Sequence, residues 1–75
     1  MQKEYYVIIR LTSGWCYKLD RCFKSSEDAS QYAYWLLSQL LQQGYLDFWA
    51  RNLLDKREFA IVRQDSVAAI EAHEV

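Results

Sequence analysis

Residues 25–44, SSEDASQYAYWLLSQLLQQG, form one long stretch with helical periodicity, and both of its ends are marked. Ser25 can cap the first turn, and Glu27 with Asp28 places negative charge where the helix dipole favours it. Gly44 can close the helix in left-handed geometry after about Gln43. Turning 100° per residue puts Ala29, Ala33, Leu36, Leu40 and Gly44 on one stripe, with Tyr32 and Leu37 close beside it. Gln31, Ser38 and Gln42 lie opposite on a narrow solvated face. Trp35 projects from one shoulder of the stripe, and Tyr34 with Leu41 from the other. This apolar arc is wider than the roughly 100° a helix buries against one sheet. A single amphipathic helix has to find its second layer in the rest of the chain.

The rest of the chain alternates with period two. Residues 4–11, EYYVIIRL, read as a strand with Tyr5, Val7, Ile9 and Leu11 on one face and Tyr6, Ile8 and Arg10 on the other. After TSG a second run, WCYKLDRCF, alternates Trp15, Tyr17 and Leu19 with Cys16, Lys18 and Asp20. Three linking residues ending in Gly14 fit a hairpin with a left-handed glycine next to a bulge. Beyond Gly44, YLDFWA sets Leu46, Phe48 and Ala50 against Tyr45, Asp47 and Trp49. A polar turn follows around Asp55, Lys56 and Arg57, then a strand at 59–63, a turn at QDS and a final apolar segment, 67–75. That last segment suits a strand or a short helix. The expected fold is α+β in the order ββαβββ: a small antiparallel sheet of four to five strands with one central helix packed on one face. Which sheet face lies under the helix stays open, with Leu19, Leu46, Phe48, Ile61 and Ile70 as inward candidates.

With 75 residues the chain is expected to be a single domain with a thin core, burying roughly 60% of its unfolded surface. The hydrophobic share of 52% and the absence of proline and low-complexity tracts fit a globular chain. The net charge of −1 argues against a protein built mainly to hold nucleic acid. Charge is unevenly placed, with +3 over residues 1–24 and −3 over residues 25–50. The N-terminal apolar run is short and interrupted by Arg10, unlike a secretory signal. Residues 32–50 contain too many polar groups to span a bilayer, which needs about 20 nearly uninterrupted apolar residues. A cytoplasmic protein with no membrane association is the expectation.

Tests for chemistry return little. On one extended strand Cys16 and Cys22 lie about 20 Å apart, beyond disulfide reach, so free thiols are expected. His73 is the sole histidine and has no close-spaced ligand partner to seed a zinc site. Serine and cysteine triads lack a placed base, and no glycine-rich phosphate loop is present. No catalytic, cofactor or metal residue is assigned, and the chain is expected not to be an enzyme.

The surplus of rings points to binding. One helix covers one sheet face, which leaves Tyr34, Trp35, Leu41, Tyr45 and Trp49 as candidate protein-interface residues. The expected function is a small protein-interaction module, most simply a homodimer, with an adaptor or inhibitor of another protein equally consistent. The alternative is single-stranded nucleic-acid binding through the N-terminal hairpin, using Arg10, Trp15, Tyr17, Lys18 and Arg21.

Overall fold

The computed structural model describes residues 3–75. Its elements run β1 (Tyr5–Leu11), β2 (Cys16–Phe23), α1 (Ser26–Gln43), β3 (Tyr45–Arg51), β4 (Arg57–Arg63), a 3-10 turn (Gln64–Ser66) and β5 (Val67–Glu74). The five strands form one antiparallel sheet in the order β4-β3-β2-β1-β5, and α1 lies across one face. The fold is α+β in the expected element order, and the final segment is a strand.

Local chemistry sets the boundaries. The Ser25 Oγ accepts a hydrogen bond from the Asp28 N–H at 3.1 Å, so one of the unpaired first-turn donors of α1 is satisfied. At the other end Gly44 sits at φ 82° and its N–H donates to the Leu40 carbonyl at 2.8 Å. Gly14 takes φ 93° in the β1–β2 hairpin, where Leu11 N–H donates to Trp15 O at 2.8 Å. The β3–β4 turn is held by Asn52, whose Oδ1 accepts from the N–H groups of Leu54 at 2.9 Å and Lys56 at 3.2 Å. That side chain copies the hydrogen bonding of a turn, and it lets β4 begin at Arg57, two residues before the expected start.

The core lies between α1 and the sheet. Ala29, Leu36 and Leu40 of the helix stripe meet Val7, Ile9, Leu19, Leu46, Ala50 and Val62, all buried. One expected inward residue is reversed. Ile61 faces outward and is 67% exposed, while Ala60 and Val62 point under the helix. The register with β3 decides this, because Leu46 pairs with Val62 and Phe48 with Ala60, so the large ring sits opposite the small side chain. Tyr17 packs edge-on against Phe48, with ring centroids 5.5 Å apart, and extends the core toward the hairpin.

The sheet is not uniformly knit. Strands β3 and β4 pair through seven residues each, whereas β2 and β3 pair only at Lys18–Arg51 and Leu19–Ala50. Past those two pairs the strands diverge and leave a cleft of about 580 Å³ beneath Tyr32, Trp35, Gln39 and Gln43 of α1.

A Cβ on Gly44 would meet nothing within 4 Å, so a Gly44→Ala substitution would be penalised through backbone conformation alone. It should lower stability by about 1–2 kcal/mol, and Gly44→Asn by less, as measured by urea unfolding midpoints.

Candidate binding surfaces

Because α1 is the single helix among the described residues, the opposite sheet face has no protein cover. Alternation assigns it Tyr6, Ile8 and Arg10 from β1, Lys18 and Asp20 from β2, and Tyr45, Asp47, Trp49 and Arg51 from β3. Strand β4 adds Arg57, Phe59, Ile61 and Arg63, and β5 adds Glu71 and His73.

The ladder registers line up side chains from different strands. Arg57, Arg51 and Lys18 are direct cross-strand neighbours on β4, β3 and β2, with Ile8 and Glu71 continuing the row. Three cations side by side at ~4.8 Å strand spacing repel one another. Each is therefore tethered. Arg57 stacks over Trp49, with Cζ 4.6 Å from the ring centroid, and reaches across β3 to the Asp20 carboxylate on β2. Arg51 donates to the Asp55 carbonyl at 3.2 Å, and the Lys18 ammonium lies 4.4 Å over the Tyr6 ring. Rings lie along one side of the row: Trp49 is tilted against Phe59 at 5.5 Å, and Tyr6 stacks on His73 at 5.7 Å.

At the β1–β5 end, Arg10 Nε donates to Glu71 at 2.9 Å, and His73 Nε2 lies 2.7 Å from the same carboxylate. The Arg10 hydrogen bond, and after it the His73 contact, hold the Glu71 carboxyl at about 2, well below its ordinary 4.5.

A second surface lies where α1 meets the free edge of β5. Ser30, Ala33, Tyr34 and Leu37 of the helix and Ala69, Ile70 and Ala72 of the strand line a groove of about 430 Å³ containing no charged group. Tyr34, Leu37 and Leu41 stand on this shoulder, 73%, 40% and 60% exposed.

The residues singled out from sequence fall on three surfaces. Tyr34 and Leu41 belong to the β5-side shoulder. Trp35 lies on the other shoulder, where it stacks on Tyr32 at 5.8 Å and lines the β2–β3 cleft. Tyr45 and Trp49 occupy the bare sheet face, with Trp49 also reaching the cleft. The hairpin set is divided as well. Arg10 and Lys18 face the bare side, and Trp15 sits half-buried at the hairpin turn. Tyr17 points under the helix layer, where burial, and then Glu58, push its phenol above the ordinary value. Arg21 also turns to the helix side, over Phe23 at 5.0 Å and Tyr32 at 5.1 Å. Phe59, Arg51 and Arg57 were missed. The cross-strand register that aligns them rests on the inward pairs Leu19–Ala50 and Phe48–Ala60, which are long-range contacts.

Cys16 and Cys22 are free. No helix among the described residues is long and apolar enough to cross a membrane, and no metal-holding group of His, Cys, Asp or Glu occurs among them. No family model, no curated protein and no solved structure matches the chain, so these surfaces carry the functional argument.

The depressed Glu71 carboxyl ties stability to acid. Its contribution is full above about pH 4.5 and is lost as pH falls toward 2. Glu71→Gln should lower the melting temperature by a few degrees at pH 7, with the gap to wild type closing by pH 2 in thermal melts followed by circular dichroism.

Proposed function

We propose that the protein is a small non-catalytic protein-binding module that works as a homodimer, joined along β5 and the adjoining shoulder of α1. The observation carrying this reading is the coincidence of an open strand edge with the most exposed apolar side chains of the helix. An unpaired edge leaves a row of N–H and C=O groups that another strand satisfies best, and natural edges are blunted by Lys, Pro, end charges or bulges. Strand β4 has Arg57 and Arg63 at its ends. Strand β5 contains no Lys or Pro, its terminal Glu74 is paired with Lys3, and its bulge lies at the Val67 end, leaving Ala69–Glu74 in regular register.

Antiparallel pairing of β5 with its copy about a two-fold axis would bring the two α1 helices side by side on one face of a continuous sheet. The contact then covers Tyr34, Leu37 and Leu41 together with the edge. The space beside Ala33, Ala69 and Ala72 takes the partner's Tyr34 ring. Burying these groups and the edge backbone removes on the order of 600 Å² per copy, approaching the ~800 Å² per partner of a standard specific interface. Glu71 brings no uncompensated charge to the seam, since the Arg10 guanidinium already pairs with it.

Light scattering during size-exclusion chromatography tests the reading. At tens of micromolar the protein should elute at twice its 9.0 kDa chain mass. Tyr34→Glu combined with Leu41→Glu should raise the dimer dissociation constant at least a hundredfold while leaving the circular dichroism spectrum intact. A wild-type protein that stays monomeric sinks the proposal.

A further inference from the structure

The bare sheet face gathers cations, and α1 has none. Arg10, Lys18, Arg51, Arg57 and Arg63 lie there with Asp20, Asp47 and Glu71, and Asp55 and Asp65 of the adjoining turns pair with Arg51 and Arg63, whereas α1 carries Glu27 and Asp28 and no basic residue. Five of the chain's nine Lys and Arg side chains are thus gathered on one face. Its centre is the Arg57–Arg51–Lys18 row, an arrangement that core packing does not require, since all three side chains are exposed. Beside the row, Trp49 and Phe59 are 51% and 48% exposed, and Tyr6 is half-buried.

We propose that this face binds single-stranded nucleic acid, with backbone phosphates on the Lys18–Arg51–Arg57 row and bases stacked on Trp49, Phe59 and Tyr6. The occupant is chosen by charge and shape together. An anion chain matches three aligned cations, of which Arg51 and Arg57 are held by the Asp55 and Asp20 carboxylates, and the rings along one side of the row accept planar groups, the combination used by stacking platforms for single strands. An acidic peptide would use the cations and leave the rings idle. Duplex would present its phosphates and keep its bases stacked inside. The site lies on the layer opposite the α1 shoulder, so it stays open in the proposed dimer.

Fluorescence anisotropy with labelled dodecamers of oligo(dT) and oligo(U) tests this on the full chain. Binding should appear at 20 mM NaCl and weaken about a hundredfold by 200 mM, as expected for about three neutralised phosphates. Lys18→Glu with Arg51→Glu should lower affinity more than tenfold. Trp49→Ala and the edge-strand variant Phe59→Ala should each lower it about tenfold, with melting curves verifying that every variant folds. Gln42→Lys, which adds a cation to the solvated face of α1, should leave binding unchanged. No binding of either dodecamer at low salt overturns the proposal. So does binding indifferent to the double charge reversal, or equal binding of poly-glutamate.

Discussion

One 18-residue helix is the whole of the second layer for a five-stranded sheet. Its stripe can approach closely because Ala29 is fully buried against the sheet, with Leu36 and Leu40 completing the seat over Val7 and Ile9. The result is a slab of 38 × 28 × 18 Å. A slab this thin has one dry interface and two broad outer surfaces. Every large apolar group beyond that interface must face water or a partner. The shoulder at Tyr34 and Leu41, the rim at Trp35 and the bare face at Trp49 and Phe59 all follow from that single shortage of cover.

The uncovered face has substituted side-chain bracing for a packed layer. Arg57 ties β4 to β2 through Asp20 while covering part of Trp49, and Glu71 collects Arg10 from β1 and His73 from its own strand. Exposed pairs of this kind are individually worth about 0–1 kcal/mol. Their main effect is to hold rings and guanidinium groups in fixed relative positions. A surface braced in this way reduces the ordering cost a ligand would otherwise meet.

Much of the architecture was readable from local signals that are strong in themselves. Ser25 and Gly44 bracket the helix, Gly14 marks the hairpin, and the period-two runs give every strand its existence. The orientation of FAIVR was not readable, because either set of alternate residues is apolar enough to face inward. The Phe48–Ala60 pairing decided it, and that is a long-range contact. The same limit applies to the surfaces. Exposure of Tyr34, Trp35, Leu41, Tyr45 and Trp49 followed from counting rings against one helix, but their distribution over three surfaces depends on strand order. Tyr17 and Arg21 looked like members of a basic aromatic face and instead serve the helix side, because β2 has its Leu19 face turned to the core. The cation row was invisible for a related reason: its members come from three strands brought together by topology.

The two-pair ladder between β2 and β3 has a mechanical meaning. Main-chain bonding divides the sheet into a β5-β1-β2 part and a β3-β4 hairpin, joined by Lys18–Arg51, Leu19–Ala50, the overlying helix and the Arg57–Asp20 tie. Cooperative opening follows the weakest seam in such a structure. The hairpin thus forms a separable unit whose amides would exchange with solvent as a block, ahead of those in the β1-centred half. In the proposed dimer a detachable hairpin at the end of a long helix would also be the element most readily exchanged between copies, so the weak seam sets where domain swapping would begin.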